Sequence, residues 1–343
     1  MSTSTKGLEG VTAAQSALSF IDGEAGRLIY RGYDIHDLAA HSTFEEVAYL
    51  MGNGRLPTRS QLDEFRQTLA AHRRLPDGLM AVLRIFPRHA TPMEALRTAV
   101  SASSMFDQDA DTISLEASRQ KATRLTAQLP TIIAAFERLR NGQEPIPPRD
   151  DLDHAANYLY MQTGRVPEPE DARALDVYYI LLTDHEMNAS TFAARVATGT
   201  LSDMVSAITS AIGTLKGPLH GGANRAAMEM LLEIGEPDQA ESYVRQALAE
   251  KKRIMGFGHR VYKTEDPRTA VLRPLSKQLC ERAGVSKWYE ISKRIEDLMI
   301  REKGINANVD FYSASVLYVL GIPIDLFTPM FACSRMIGWT AHV

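Results

Sequence analysis

Three residues of this sequence combine a titratable side chain with a local setting that could support chemistry. They are His220 in KGPLHGGANRAAM, His259 in GFGHRVYKTEDPR and Asp310 in NVDFYSAS. Histidine and carboxylate side chains act as general acids and bases when their surroundings bring the pKa near the working pH. The sequence therefore suggests acid–base chemistry at a site to which three separate segments contribute.

His220 stands just before a Gly-Gly pair that opens an apolar helical pattern. The positive end of a helix dipole disfavours a charged imidazole, so we expect the pKa of His220 to be lowered and its ring to be neutral. A neutral ring can donate a hydrogen bond to a carbonyl or enolate oxygen. A helix-capping or core histidine fits the same pattern, and the residues alone leave both interpretations open.

Arg268 is predicted to lie near His259. Asp266-Pro267-Arg268 has the features of a helix start, with Asp as the cap and Pro at the first helical position. Arg268 would then project from the first turn, close to the loop that carries His259. With its guanidinium fork free it would be a natural clamp for a carboxylate, although a solvated surface arginine remains compatible with the sequence.

Asp310 opens an apolar helical pattern, which is the usual position of an N-cap residue. A catalytic base needs a different environment, with few hydrogen-bond donors and enough burial to raise the pKa of the carboxyl group. Phe311 and Tyr312 could supply apolar walls for such an environment. The sequence leaves both roles open.

The spacing of the remaining motifs excludes several kinds of site. A dinucleotide-binding G-x-G-x-x-G motif would need a glycine at Val261, and no P-loop Gly-Lys-Ser or Gly-Lys-Thr follows the required spacer. The zinc motif H-E-x-x-H begins at His185-Glu186, but Ala189 replaces its second histidine. There is no Cys-x-x-Cys pair and no G-x-S-x-G nucleophile elbow. We therefore expect no metal and no permanently bound cofactor.

The composition is that of a soluble globular protein. The 343 residues carry a net charge of −4, which argues against a nucleic-acid-binding surface. Cys280 and Cys333 are too few for a disulfide framework and favour a reducing compartment. The start MSTSTKGLEG lacks the features of a secretory signal, and no apolar run reaches the ~18 residues of a membrane span. We expect a cytoplasmic protein that does not enter a membrane.

Helical signals dominate the chain, so the predicted fold class is mainly α. Capping boxes are predicted at Ser42–Glu45, Thr58–Gln61 and Thr91–Glu94, where a hydroxyl precedes Glu or Gln by three positions. Only residues 18–35 alternate in the manner of strands, around Asp22-Gly23, and they predict one small hairpin. Pro130 lies inside a helical pattern that it should kink or end.

Two breaks in the helical pattern suggest a division into two domains. They occur at Gly217-Pro218 and at Gly321-Ile322-Pro323. We expect a large, discontinuous helical domain formed by residues 1–218 and 324–343, and a small helical domain formed by residues 219–323 that carries most of the candidate residues.

Taken together and in this order, five segments resemble the citrate synthase family. They are DHEMNASTF (184–192), KGPLHGGAN (216–224), IMGFGHRVYKTEDPR (254–268), NVDFYSAS (308–315) and FTPMFACSRMIGW (327–339). The resemblance extends from the N-terminal GLEGV (7–11) and IDGEAGRLIYRGYDI (21–35) to the last residue, and the short bacterial and archaeal type is the most similar. It implies a two-domain, all-helical, homodimeric enzyme with a small N-terminal hairpin.

The resemblance also implies an activity and a role for each candidate residue. Citrate synthases are transferases of the tricarboxylic acid cycle that condense acetyl-CoA with oxaloacetate and use no metal. By resemblance, Asp310 removes a proton from the acetyl methyl group, His220 donates to the thioester oxygen, and His259 donates to the oxaloacetate carbonyl. The dicarboxylate would be held by His185, His259, Arg268 and Arg335. CoA would lie along Ile254, Met255, Gly256, Phe257 and Gly258, with Lys263 near its phosphates and Asn308 near the thiol arm.

The family resemblance carries two further expectations. Its members close two domains over the first substrate, which excludes water until the carbon–carbon bond has formed. They usually continue for a few tens of residues beyond Val343, and that tail supplies an arginine to the partner subunit's active site.

Three alternatives remain beside this interpretation. A 2-methylcitrate synthase shares the same segments and prefers propionyl-CoA, and one methylene changes binding by only about 1–3 kcal/mol. An acyl-CoA hydrolase could use Asp310 or Ser313 and would release CoA without oxaloacetate. A helical scaffold protein without catalysis would be expected to have lost one of the three acid–base residues, and none is lost.

Overall fold

The computed structural model describes residues 13–343, so the GLEGV segment and the N-terminal segment considered for a secretory signal lie outside the described residues. In the described part the chain is mainly helical, as predicted, with a small three-stranded sheet. The sixteen α-helices of residues 13–343 are α1 (Ile35–His41), α2 (Phe44–Asn53), α3 (Arg59–His72), α4 (Asp77–Arg84), α5 (Pro92–Ser103), α6 (Leu115–Arg140), α7 (His154–Thr163), α8 (Pro169–Leu182), α9 (Ala189–Thr198), α10 (Met204–Leu215), α11 (Ala223–Ile234), α12 (Ala240–Ala249), α13 (Pro267–Arg282), α14 (Lys287–Lys303), α15 (Val309–Val319) and α16 (Phe327–His342). Short 3₁₀ turns lie at Ser104–Phe106, Pro237–Gln239 and Ile324–Leu326.

The predicted hairpin is present and is extended by one more strand. The strands are β1 (Ser19–Asp22), β2 (Arg27–Tyr30) and β3 (Tyr33–Asp34), in the antiparallel order β1-β2-β3. Phe20 pairs with Ile29 in the first ladder. The extra strand forms because Arg31 and Gly32 both take a positive φ, which reverses the chain tightly enough for β3 to return beside β2.

Two of the three predicted capping boxes are confirmed. Thr58 caps α3 with Gln61, and Thr91 caps α5 with Glu94. In each, the threonine side chain accepts from a backbone N–H and the longer side chain accepts from the backbone N–H of the threonine. Each helix start therefore satisfies two backbone donors that would otherwise lack partners.

The third predicted capping box, Ser42–Glu45, is wrong by one residue. Thr43 and Glu46 form the box at the start of α2. Glu45 is buried instead, and its carboxylate accepts from the backbone N–H of His154 at 2.8 Å. The pattern has two adjacent hydroxyls and two adjacent carboxylates, and the sequence does not show which pair faces the core.

Helix α6 continues through Pro130, so the helix does not end there. The residues of α6 from Leu125 to Glu137 are buried, and packing on both sides offsets the hydrogen bond that proline removes.

Helix α16 forms the centre of the core. It is buried along nearly its whole length and packs against α6, α8, α9 and α10. Helices α11 and α13 both pack on α15. The helical pattern is interrupted between α10 and α11 and again after α15, where the sequence predicted breaks; the division into two domains stays a prediction. Within residues 13–343, no helix is both long and apolar enough to span a membrane.

Candidate active site

The three acid–base candidates lie on segments that neighbouring helices bring together. His220 lies between α10 and α11, His259 lies between α12 and α13, and Asp310 lies in the first turn of α15. Because α15 packs on both α11 and α13, the ends of these elements share one region. The charge of Arg335 in α16 acts on both His220 and Asp310. After burial it is the next cause of the lowered pKa of His220, and at Asp310 it opposes the rise in pKa that burial causes, so both residues lie near this buried guanidinium.

His185 and His259 are in direct contact. Their ring centroids are 5.2 Å apart in an edge-to-face arrangement. Tyr262 lies against both rings: its hydroxyl is 3.3 Å from Nε2 of His185, and its ring centroid is 4.6 Å from that of His259. The structure thus joins two histidines that are separated widely in sequence.

The backbone fixes the tautomer of His259. Nδ1 accepts from the backbone N–H groups of Val261 at 3.0 Å and Tyr262 at 3.1 Å. A ring nitrogen that accepts carries no proton, so these partners assign the ring proton to Nε2. Burial and the nearby Arg268 guanidinium lower the pKa of His259 to about 4. His259 is therefore a neutral donor through Nε2 at physiological pH.

His220 is held through its other nitrogen. The backbone N–H of Ser190 donates to Nε2 at 3.3 Å, and the hydroxyl of Ser190 lies 2.8 Å from the same nitrogen. A backbone N–H cannot rotate as a hydroxyl can, so Nε2 is the acceptor and the proton is assigned to Nδ1. Trp339 donates to the Ser190 hydroxyl at 3.1 Å and thereby fixes this contact from α16.

The pKa of His220 is lowered, in the expected direction. Burial, followed by the charge of Arg335, lowers the pKa of His220 to about 4. The N-cap of α11 is Gly222, two residues further along the chain. The pKa of His185 also lies well below its usual value, mainly through burial and then through Arg268 and Arg335.

Asp310 is not the N-cap of α15, although its position suggested that role. Asn308 is the cap, and its side chain accepts from the backbone N–H of Asp310 at 3.0 Å. No hydrogen-bond donor reaches the Asp310 carboxylate within residues 13–343. Burial raises the pKa of Asp310 to about 6, and the neighbouring Phe311 is fully buried against Phe257. This is the environment of a proton acceptor that works near neutral pH.

The predicted helix start at Arg268 is confirmed, and its burial excludes the alternative of a solvated surface arginine. Asp266 caps α13, and its carboxylate also accepts from Nε and Nη2 of Arg268 at 2.9 and 2.8 Å. Arg268 is only 3% exposed, and the Asp266 carboxylate offsets the cost of burying its charge. The pairing orients the side chain and leaves Nη1 for a further acceptor.

Arg335 is the second buried cation of the site. It is 2% exposed, and its Nε donates to the backbone carbonyl of Leu182 at 2.8 Å. Its guanidinium carbon lies 4.7 Å from the centroid of the Phe331 ring. After burial, the charges of Arg268 and Arg335 both lower the pKa of His185, so the two cations lie near His185. Such an arrangement suits a ligand that carries two carboxylates.

The glycine-rich segment 254–258 lies against the start of α15. The backbone N–H of Asn308 donates to the carbonyl of Gly256, and its side-chain amide donates to the carbonyl of Gly258, each at 2.9 Å. Gly256 has a φ of 80°, and a Cβ there would lie 2.7 Å from Cβ of Phe311. Glycine is therefore required by conformation and by space, and the bare backbone stays next to Asp310.

The other residues expected to bind CoA differ in exposure. Ile254 is buried, Met255 and Phe257 are half-buried, and Lys263 is exposed. An exposed lysine beside a bare backbone segment is available to a phosphate group. The assignment of these residues to CoA stays a prediction.

Three residues of the site carried no recognisable signal in the sequence. Ser190 and Trp339 hold His220, and Tyr262 contacts both His185 and His259. The contacts of Ser190 with His220, of Trp339 with Ser190 and of Tyr262 with His185 each join distant segments, so they become visible only in the folded structure. Within residues 13–343, no group of three or more His, Cys, Asp or Glu side chains is arranged to hold a metal ion.

Comparison with known proteins identifies a family and solved structures with the same fold. The family model "Citrate synthase, C-terminal domain" matches residues 7–343. The chain is 51% identical over 342 residues to citrate synthase 2 of Bacillus subtilis, which covers 99% of this chain and 91% of that protein. It is 44% identical to 2-methylcitrate synthase of Mycobacterium tuberculosis, over 98% of this chain and 86% of that protein.

Two solved structures give the same result for the fold. Citrate synthase from Pyrobaculum aerophilum superposes with a TM-score of 0.93 at 42% identity, over 98% of this chain and 87% of that chain. The ternary complex of citrate synthase from Thermoplasma acidophilum with carboxymethyl coenzyme A and oxaloacetate gives a TM-score of 0.93 at 36% identity, over 98% and 90% of the two chains.

Proposed function

The chain belongs to the citrate synthase family, and from that premise we propose how its own residues condense acetyl-CoA with oxaloacetate and release citrate and CoA. In this reaction an acyl group becomes an alkyl group on transfer, and the product enters the tricarboxylic acid cycle. One observation carries the assignment of the site. The Asp310 carboxylate, which no donor of residues 13–343 reaches, lies in the same region as two histidines whose neutral tautomers are fixed.

The first step is removal of a proton from the acetyl methyl group. Asp310 is the base, because burial raises the pKa of its carboxyl group to about 6 while leaving it ionised at pH 7. His220 donates from Nδ1 to the thioester oxygen, where negative charge develops as the enol or enolate forms. A donor placed in advance stabilises this charge without reorganisation of the site.

The second step forms the carbon–carbon bond. The enol carbon attacks the ketone carbon of oxaloacetate, and the ketone oxygen receives a proton as the citryl thioester forms. His259 donates a hydrogen bond from Nε2 to that oxygen, and the proton that Asp310 took from the methyl group balances the one that the oxygen gains. Arg268, Arg335 and His185 hold the two carboxylates, which fixes the orientation of the ketone. Water then cleaves the thioester of citryl-CoA, and the CoA thiol leaves.

CoA lies along the backbone of residues 254–258, with Asn308 beside the thiol arm and Lys263 near the phosphates. The structural neighbour from Thermoplasma acidophilum binds carboxymethyl coenzyme A together with oxaloacetate, which supports a shared region for both substrates. The reaction uses acetyl-CoA as a co-substrate, and in this mechanism no step needs a metal.

The small domain, residues 219–323, closes on the large domain after oxaloacetate has bound. This division agrees with the packing of α11 and α13 on α15 and with the interruption of the helices at both ends of the span. Closure keeps water from the enolate until the new bond exists, and reopening admits the water that hydrolyses citryl-CoA.

The functional unit is a homodimer. Large apolar side chains are exposed on elements that pack together: Met105 follows α5, Leu115 opens α6, Val196 ends α9 and Leu201 precedes α10. Exposed fractions of 54% to 84% at these positions are high for apolar residues, and a second copy of the chain would cover them.

The compartment is the cytoplasm. Cys280 and Cys333 are both free and buried, as is usual for proteins of a reducing compartment.

The second candidate function is 2-methylcitrate synthesis, because relatives with that activity match at 40% and 44% identity. Comparison of kcat/KM for acetyl-CoA and propionyl-CoA, with oxaloacetate saturating, separates the two activities. We expect acetyl-CoA to be preferred. A clear preference for propionyl-CoA would instead assign the chain to 2-methylcitrate synthesis.

A further inference from the structure

The β1–β2 hairpin contains none of the candidate catalytic residues, yet it contacts both loops that carry the histidines of the oxaloacetate site. One loop, residues 184–186, carries His185. The other, residues 259–265, begins with His259. The hairpin lies between these loops and is hydrogen-bonded to both.

The strands of the hairpin hold the first loop. The hydroxyl of Ser19 donates to the carboxylate of Asp184 at 2.5 Å and accepts from the backbone N–H of Glu186. The carboxylate of Glu186 accepts from the backbone N–H of Ile21 at 2.8 Å. Tyr30 is fully buried, and its hydroxyl donates to the backbone carbonyl of Asp184 at 2.9 Å. The residues on both sides of His185 are thus fixed to the hairpin.

The turn of the hairpin holds the second loop. The backbone N–H of Lys263 donates to the carbonyl of Gly23 at 2.9 Å. A Cβ at Gly23 would lie 2.4 Å from the backbone oxygen of Val261, and a Cβ at Gly26 would lie 2.8 Å from the side chain of Thr264. The two backbones therefore approach more closely than any side chain would allow. Val261 is also one of the two residues whose N–H groups fix the tautomer of His259.

We propose that the β1–β2 hairpin is a positioning element that sets the distance and angle between His185 and His259, and so determines the affinity for oxaloacetate. The inference rests on the proposed function, because it assigns both histidines to that substrate. The hairpin fixes one loop through side chains and the other through backbone contact, so a displacement at either end changes the relation between the two rings.

The glycine at position 23 offers a test with a matched control. Gly23 does not have a positive φ, so Gly23→Ala adds a methyl group without backbone strain, and its only effect is to push on Val261. Gly52 in α2 also lacks a positive φ, and a Cβ there meets no atom within 4 Å. Gly52→Ala therefore adds the same methyl group to open space.

Calorimetric titration with oxaloacetate alone measures the predicted change. A Cβ 2.4 Å from a backbone oxygen forces the loop to move by about 1 Å, and displacements of that size cost up to about 10²-fold. We expect Gly23→Ala to weaken oxaloacetate binding at least about tenfold, whereas Gly52→Ala binds as the parent does. Thermal unfolding without ligand should leave both variants folded at the temperature of the titration.

A second pair of variants tests the other end of the hairpin. It tests the positioning role even if Gly23→Ala does not fold. Glu186→Ala removes the acceptor for the N–H of Ile21, whereas Glu186→Gln keeps an oxygen at that position. We expect Glu186→Ala to weaken oxaloacetate binding and Glu186→Gln to restore most of it. A purely structural role would lower the unfolding temperature without changing the affinity of the folded protein.

The outcomes separate this inference from the proposed function. If the parent protein binds oxaloacetate and the variants at positions 23 and 186 bind it equally well, the hairpin has no positioning role and the proposed function stands. If the parent protein neither binds oxaloacetate nor forms citrate, the proposed function is wrong and the inference is lost with it.

Discussion

The two candidate histidines are neutral donors, but opposite ring nitrogens carry the proton. His259 accepts backbone N–H groups at Nδ1 and donates from Nε2, whereas His220 accepts the Ser190 N–H at Nε2 and donates from Nδ1. In both cases the fixed backbone group, rather than a rotatable side chain, selects the tautomer. A neutral imidazole can donate a hydrogen bond to an oxygen on which negative charge develops, as in the formation of an enolate.

Asp310→Asn and His220→Gln should each abolish condensation while the fold remains intact. The first removes the base and the second removes the donor to the thioester oxygen, and general acid–base groups contribute about 10²–10⁴-fold to rate. Steady-state kinetics measure kcat, and circular dichroism with oxaloacetate titration verifies folding and the first binding step. Near-normal turnover of either variant would show that its role is assigned wrongly.

The pH dependence of kcat/KM should have an acid limb near pH 6. Asp310 accepts a proton only when ionised, and burial raises its pKa to about 6, so activity falls as the pH decreases through that value. His220 and His259, with pKa values lowered to about 4, stay neutral above pH 5 and add no second limb there. A limb centred near pH 4, as for an ordinary carboxyl group, would contradict the buried base.

At the residue scale, the sequence indicated which side chains could react but not what holds them. Its residues left open whether Asp310 was a cap or a base, and the cap proved to be Asn308, two positions earlier. It left open whether Arg268 was a carboxylate clamp or a surface residue, and it did not indicate the pairing of the buried guanidinium with Asp266. The contacts of Ser190 with His220 and of Tyr262 with His185 were missed because each joins distant parts of the chain.

At the element scale, the site depends on glycine-containing segments whose backbone packs directly on a helix start or a loop. Residues 254–258 lie on the first turn of α15, and the turn of the hairpin lies on the loop that follows His259. Both contacts use glycine where a Cβ would collide with a neighbour. The site is therefore built from contacts between elements rather than from one local motif.

Gly256→Ala should reduce catalysis more than its loss of stability explains. Gly256 and Gly284 both have a positive φ, of 80° and 69°, so alanine strains the backbone by about 1–2 kcal/mol at either position. Only at Gly256 would the new Cβ also collide with Phe311, next to the base. We expect kcat/KM for acetyl-CoA to fall at least about tenfold in Gly256→Ala.

Gly284→Ala is the control, because a Cβ there has open space around it. It should unfold at a lower temperature but keep its turnover. Equal kinetics for the two variants would mean that the packing of residues 254–258 on α15 does not matter for catalysis.

The elements themselves were largely predictable. Hydroxyl and carboxylate spacing located the starts of α3 and α5, and Asp-Pro located the start of α13. The start of α2 was misplaced by one residue, and α6 continues through its proline, because tertiary burial decides between local alternatives. The third strand was not foreseen, since it depends on the backbone at Arg31-Gly32.

At the scale of the whole molecule, the exposed apolar side chains predict self-association. Sedimentation velocity should give a species of twice the chain mass. Leu115→Glu, which puts a charge on the proposed interface, should shift the protein toward the monomer. Ile300→Glu is the control, because Ile300 is also exposed but lies on α14, away from that surface. A parent protein that sediments as a monomer, or equal effects of the two variants, would contradict the proposed dimer.

The proposed division into two domains agrees with the distribution of the candidate site residues along the chain. Asp310, His220 and His259 lie between residues 219 and 323, whereas His185 and Arg335 lie outside that span. The sequence predicted this division from two helix breaks. A site assembled from both parts is what closure over a first substrate requires.

The most direct test of the assigned chemistry is the release of CoA with and without oxaloacetate. Free thiol is measured with acetyl-CoA as the acyl donor, and citrate is identified as the second product. We predict CoA release only when oxaloacetate is present, with one citrate formed per CoA. Release at a similar rate without oxaloacetate would make the protein a thioester hydrolase and would contradict the condensation mechanism.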